Sequence, residues 1–179
     1  LEFRRVLFRS RGFSFNDAAA LSFGYLTALH YLRQAEILPG QSVLVVGASG
    51  SVGTAAVQLA VHYGARVIAV SSKGNFELVR SNGAEQTLDY SSEEYAKDTT
   101  QYDVVVDTVG KVPWKDHLQR VKADGKLVLI GLTSVGDPAQ PRSLGPGVAA
   151  PARRKHHHRD QRQGAQAAHH VPLGPAHLQ

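Results

Sequence analysis

The chain has no cysteine, no methionine and one tryptophan in 179 residues, and only 7% of it is aromatic. The lack of cysteine excludes disulfides and cysteine-ligated zinc. No apolar run approaches the roughly 18 residues that a membrane-spanning helix needs, so no membrane partner is expected. Leu1–Arg11 carries four arginines but no apolar stretch, so it does not follow a signal-peptide pattern. A cytoplasmic location is the expectation. Acidic residues are scarce only at the ends. The formal net charge is +5, yet residues 13–137 hold 10 Lys+Arg against 13 Asp+Glu, a net −3. The basicity sits in the flanks, which leaves the central region without a basic stripe for nucleic acid.

Three regions follow from composition: 1–12, 13–137 and 138–179. In the last, 34 of 42 residues are Ala, Pro, Gly, Arg, His or Gln, and Phe, Trp, Tyr and Ile are absent. Such a segment buries too little apolar surface to offset the entropy of ordering, and is expected to be disordered or the product of a frame shift in a GC-rich gene. His156–His158 and His169–His170 fall there without a scaffold to set ligand geometry, so no metal site is assigned. Leu7-Phe8-Arg9-Ser10 is what the adapter string CTCTTCCGATCT encodes. The first 12 residues are accordingly expected to be artefact or disordered, outside the fold.

The central region contains one feature with chemical content. SVLVV (42–46) is an apolar run suited to a strand buried on both faces. GASGSVG (47–53) follows, and then TAAVQLAVHY (54–63), with apolar residues at helical spacing. Gly50 lets a phosphate approach the backbone, Gly53 lets the helix pack closely, and the helix N-terminus near Ser51 and Val52 offers free N–H groups to an anion. Gly47, Gly50 and Gly53 fit G-x-x-G-x-x-G better than G-x-G-x-x-G. Strand, turn, helix and a second strand at 65–70 form the βαβ context of a dinucleotide site.

Further units repeat the alternation. A helix capped by Asn16 or Asp17 runs to about Ala35. Helices are expected at Asn75–Ser81, Ser92–Ala96 and Trp114–Val121, the last ending near Asp124-Gly125. Strands are expected at Gln86–Asp89, Val104–Val106 and Leu127–Ile130. This is an α/β pattern: a Rossmann-like, doubly wound parallel sheet of about five strands in the order 3-2-1-4-5. A sixth strand would fall in the aberrant tail, so the sheet is expected to be incomplete.

The cofactor is read from the end of the second strand, Ser71-Ser72-Lys73-Gly74-Asn75. An NAD site places an acid there for the ribose 2′-OH. This loop has two hydroxyls and a lysine instead, a set that favours a 2′-phosphate. NADPH is therefore expected over NADH. Other titratable residues have plainer readings. Asp103 and Asp107 flank the fourth strand and read as capping or solvated groups. His30 and His62 read as packed or exposed, Trp114 as packing, and His117 has no evident partner.

Residues 17–132 resemble the cofactor-binding domain of the medium-chain dehydrogenase/reductase superfamily, specifically its zinc-independent quinone-oxidoreductase-like branch. The segments that carry the resemblance are AAALSFGYLTA (18–28), LPGQSVLVVGASGSVG (38–53), ELVRSNGAE (77–85), YDVVVDTVG (102–110) and DGKLVLIGL (124–132). The resemblance implies a GroES-like catalytic domain, here expected to be absent, and a homodimer for the full-length protein. It implies hydride transfer from NADPH to a quinone or an activated alkene or carbonyl, with a small-molecule substrate. By position it puts Ser51 and Val52 at the pyrophosphate, and Ser71, Lys73 and Tyr90 around the 2′-phosphate. It puts Thr27 near the nicotinamide, with Thr108-Val109 and Gly131-Leu132 along the ribose and carboxamide. Tyr90 is equally well read as an ordinary strand-end aromatic. Zinc-dependent relatives place a cysteine ligand near Leu21–Phe23, and none stands there, so no metal is expected. The alternatives are a zinc-type alcohol dehydrogenase relative and a non-catalytic nucleotide-binding remnant. A short-chain dehydrogenase is disfavoured because no Tyr-x-x-x-Lys spacing occurs.

Overall fold

The computed structural model describes residues 14–130 and 147–149. Helix α1 (Phe15–Ala35) precedes strand β1 (Ser42–Val46), helix α2 (Ser51–His62) and strand β2 (Arg66–Ser71). A short 3-10 turn (Lys73–Asn75) leads into α3 (Phe76–Ser81), β3 (Gln86–Asp89) and α4 (Glu93–Lys97). Then come β4 (Tyr102–Asp107), α5 (Trp114–Leu118), β5 (Val121–Leu129) and β6 (Gly147–Ala149). The sheet order is β3-β2-β1-β4-β5-β6. The first five strands are parallel, in the order expected for a Rossmann-like sheet.

Side chains alternate between the two faces of the sheet. Val43, Val45, Val67, Ala69, Val104, Val106 and Val128 point to the face covered by α1 and α2, where they join Ala28, Leu32, Ala55, Ala56 and Ala60. Leu44, Val46, Ile68, Val70, Val105 and Leu127 point to the opposite face and meet Tyr95 and Tyr102. Both faces of β1 are therefore buried, as its unbroken apolar run requires. Each fully buried Val or Leu contributes about 1.5–3 kcal/mol of transfer free energy.

Two helix ends are set by glycine. Gly64 has φ +79°; its N–H bonds to Val61 O, and that of Ala65 bonds to Ala60 O. Gly83 (φ +101°) repeats the pattern, its N–H bonding to Arg80 O and that of Ala84 to Val79 O. Both are Schellman caps, whose αL residue glycine adopts without a Cβ penalty.

The sheet differs from expectation at its far edge. The helix expected at Trp114–Val121 ends at Leu118, and Val121 already belongs to β5, opposite Tyr102. The ladder then shifts register and resumes with Val104 opposite Lys126. Asp124-Gly125 is thus part of an irregular stretch inside a strand, not a helix stop. A Cβ on Gly125 would lie 2.7 Å from both the Asp103 carbonyl and Val121 Cγ1, so the crossing is open only to glycine. The sixth strand, which the sequence reading did not expect, is Gly147–Ala149. It pairs antiparallel with Leu127–Leu129.

At the N-terminal edge of β4, Asp103 ties three strands together. Its carboxylate accepts from the Ser42 N–H (2.8 Å) and hydroxyl (2.7 Å) on β1, and from Lys122 Nζ (2.9 Å) on β5. Burial raises the Asp103 pKa, but the Lys122 and Ser42 hydrogen bonds and the Lys122 charge outweigh it and hold the value at about 2. A carboxyl depressed in the fold stabilises it above the unfolded-state pKa, and that stabilisation is lost as pH falls through the folded value. The expected outcome is a loss of stability between about pH 4 and pH 2. Asp103→Asn should flatten the melting temperature across that window and lower it at neutral pH, as read by thermal unfolding at stepped pH.

Candidate functional site

The C-terminal ends of β1, β2 and β4 open into one cavity of about 760 Å³, within the usual size of a ligand cleft. It lies where the strand order reverses between β1 and β4, the position at which doubly wound sheets take ligands.

The floor is the glycine turn, held from two sides. The Gly47 and Ala48 N–H groups both bond to Val70 O at the end of β2 (3.0 Å each). From β4, the Thr108 hydroxyl donates to Val46 O (2.9 Å) and Gly47 O (3.3 Å), and the Thr108 N–H also bonds to Val46 O (3.1 Å). Gly47 has φ +80°, and a Cβ there would stand 2.2 Å from Val109 Cγ2. Gly53 meets the turn itself: its Cβ would lie 2.0 Å from Gly47 O. Gly24 on α1 serves similarly, since a Cβ there would fall 2.4 Å from Ser51 Oγ. Gly50 is different. Its backbone is extended, and the nearest atom to a Cβ there is Gly47 O at 3.4 Å, so what an added methyl would occupy is the cavity.

Helix α2 starts at this point without a side-chain cap and without an acid in its first turn. Its first internal bond runs from the Thr54 N–H to Gly50 O (2.7 Å). The N–H groups of Ser51, Val52 and Gly53 therefore have no intrahelical acceptor, and the positive end of the helix faces the cavity. An anion is the complement that this end lacks. A dinucleotide pyrophosphate fits both the cradle at Gly50 and these donors.

Of the residues expected at the site, Gly47, Gly50, Ser51, Val52, Ser71, Ser72, Tyr90, Thr108 and Val109 line the cavity. Gly53 supports the turn from behind. Lys73 is exposed beside the mouth, and Thr27 on α1 is not part of the wall. Gly131 and Leu132 lie outside the described residues. The wall also contains residues that sequence reasoning did not assign: Phe23, Val46, Ser49, Val70, Tyr95, Asp107, Lys111 and Val112. Ser49 lies inside the quoted glycine motif and was legible there as a hydroxyl. Tyr95 was not, because only the packing of α4 on the sheet brings it to the wall.

At the end of β2, Asn75 organises the hydroxyls. Its Nδ2 donates to Ser72 Oγ (2.9 Å) and Ser49 Oγ (3.2 Å). Each hydroxyl thus accepts from Asn75 and keeps its own proton to donate. Asp89 stands opposite Ser71 on β3, and its carboxyl is held below its usual pKa by the Ser91 N–H and hydroxyl, with a smaller contribution from the charge of Lys73.

Asp107 and His117 also depart from their sequence reading. His117 has a partner: Nε2 lies 3.0 Å from Asp107 Oδ2, and both side chains are 1% exposed. Asp107 is a buried carboxylate that also accepts from the Val109 and Gly110 N–H groups (2.8 and 2.9 Å). Burial pushes its pKa up, but the His117 bond and the two N–H groups prevail and keep it below the usual carboxylate value.

The family described as zinc-binding dehydrogenase matches residues 51–152. A 2-methylene-furan-3-one reductase of Solanum lycopersicum is 37% identical over 73% of this chain and 34% of its own length. Two solved structures are similar to this chain. The quinone oxidoreductase from Coxiella burnetii has a TM-score of 0.64 and 35% identity, covering 70% of this chain and 40% of that one. The quinone oxidoreductase from Thermus thermophilus, also solved as its complex with NADPH, has a TM-score of 0.61 and 36% identity, covering 68% and 41%. The chain belongs to the zinc-binding dehydrogenase family, and it spans about a third of the length of the Solanum relative. The sequence has no cysteine, and among the described residues no group of three or more His, Asp or Glu side chains is placed to hold a metal ion. Nor, among the described residues, is any helix long and apolar enough to cross a membrane.

The turn geometry separates two glycine substitutions. Gly53→Ala is expected to destabilise the fold by at least about 2 kcal/mol, because its Cβ meets backbone that cannot move alone. Gly50→Ala should leave stability within about 0.5 kcal/mol of the parent while weakening dinucleotide binding. Urea unfolding and a nucleotide titration on the same two variants check this.

Proposed function

We propose that this chain is the NADPH-binding domain of a zinc-independent reductase that delivers hydride to a quinone or an activated alkene. The observation that carries the cofactor choice is the end of β2. With Ser49 of the glycine turn, it presents hydroxyls that accept from Asn75 and so retain their protons for an acceptor-only ligand, and β2 ends without an acid to receive a ribose hydroxyl. Ser49, Ser72 and Lys73 would hold the 2′-phosphate, with Tyr90 beside it. Ser51, Val52 and the α2 N-terminus would hold the pyrophosphate. Thr108 and Val109 would line the nicotinamide half. The bound cofactor supplies the hydride, and the protein supplies orientation and electrostatics. Relatives support the same reading: a quinone oxidoreductase of Pseudomonas aeruginosa and an NADPH-dependent alkenal/one oxidoreductase of Arabidopsis thaliana. We propose a small-molecule substrate, a homodimeric full-length protein and a cytoplasmic location.

A fluorescence titration of the chain with NADPH and NADH tests the reading. NADPH is expected to bind at least about tenfold more tightly, a gap of about 1.4 kcal/mol. Lys73→Ala should narrow that gap by weakening NADPH alone. Tighter binding of NADH, or no binding of either, refutes the proposal. Oxidation of NADPH in the presence of a small quinone then separates an enzyme from a binder.

A further inference from the structure

Asp107 lines the cavity, and its buried partner His117 has been given no role in the site so far. Asp107 ends β4, opposite Val46 of β1 and Leu129 of β5. Its carboxylate has three partners, two of which are the N–H groups of Val109 and Gly110 on Oδ1. Those two residues form the turn that leaves the sheet, and Gly110 there has φ +70°. The third partner is His117 on Oδ2, ten residues on. A carboxylate can only accept, so Nε2 carries the proton of this bond.

The turn that Asp107 fixes is the one that clamps the glycine motif. Thr108 bonds to Val46 O and Gly47 O, and Val109 fills the space that a Gly47 Cβ would need. A line of direct contacts therefore runs from the His117 ring through one carboxylate and two amides to the floor of the cavity. We propose that His117 is a positioning residue: it fixes the rotamer of Asp107, and through it the Thr108–Gly110 turn against which the dinucleotide is bound. A buried carboxylate that loses one of its donors must turn to find another or draw in water, and either movement releases the two amides.

The affinity part of this proposal rests on the cofactor reading above; the structural part does not. In His117→Asn the side chain stays polar but is too short to reach Oδ2. Amide exchange at Val109 and Gly110 is expected to accelerate at least about tenfold while the β1 amides keep their protection. Affinity for NADPH and for NADH should fall together by about tenfold, with their ratio unchanged, because the turn lies away from the 2′ end. His117→Gln, long enough to donate again, should restore most of both. A merely structural histidine would lower the melting temperature without this localised exchange signature and without rescue. A folded His117→Asn variant with unchanged exchange and unchanged affinity overturns the proposal. If that variant does not fold, the wild-type chain decides. Slow exchange at Val109 and Gly110, with an Nε2-bound ring proton seen by NMR, supports the role; rapid exchange at those amides overturns it. If the wild type binds neither nucleotide, the cofactor reading falls, and the exchange measurements still settle the role of His117.

Discussion

The Gly47 carbonyl is the point on which the rest of this structure depends. It accepts the Gly50 N–H that closes the turn, and it accepts the Thr108 hydroxyl that ties the turn to β4. It is also the atom that Gly53 must clear for α2 to begin where it does. Strand β1, helix α2 and the end of β4 meet within one peptide unit, and Val70 O fixes the same unit to β2. A shift of this carbonyl would be felt at Gly50, Gly53 and Thr108 together, because packed interiors transmit strain. Steric need for glycine is therefore greatest at Gly47 and Gly53, which serve the fold. It is least at Gly50, where the missing methyl leaves room for a ligand.

Strand β4 extends this constraint through two aspartates with opposite surroundings. Asp103, at its N-terminal end, is partly exposed and works between strands, pulling Ser42 and Lys122 together below the sheet. Asp107, at its C-terminal end, is buried and works locally, on its own turn and on α5. Both stay ionised for one reason: hydrogen bonds donated to the carboxylate outweigh the cost of burial. The outcomes differ because the neighbours of Asp103 belong to the scaffold, whereas those of Asp107 include Val109, which lines the cavity.

What could be read in the sequence was whatever depends on near neighbours in the chain. The β1–glycine–α2 unit, and the alternation of strands and helices that implies the order of the five parallel strands, are local patterns. The hidden features depend on how distant segments meet. Helix α5 stops early because Val121 is drawn into the ladder opposite Tyr102, which the helical spacing of Trp114–Val121 cannot reveal. His117 finds Asp107 only because α5 folds back over the end of β4. Thr27 is not among the residues that line the cavity, whereas Phe23, one turn earlier on α1, is. Strand β6 lies in a stretch whose composition argued for disorder, yet three residues suffice to pair with the open edge of β5.

The same dependence on distant neighbours bears on cofactor choice. Counting residue types in Ser71–Asn75 finds two hydroxyls and a lysine but not their roles. Ser71 is buried and spends its proton on the Ser72 carbonyl (3.2 Å), so it is a wall rather than a donor. Ser72 and Ser49 are the available donors, and Asn75 makes them so by occupying their acceptor side. Lys73 contributes charge without a fixed geometry, and it shares that charge with Asp89. Selectivity for a 2′-phosphate built in this way rests mainly on two oriented hydroxyls and secondarily on a mobile cation. Oriented donors lose little entropy when they bind, whereas a lysine must give up both rotamer freedom and its neighbouring acid. Asn75, which touches the ligand region only through other side chains, is then the residue that fixes the polarity of the pocket.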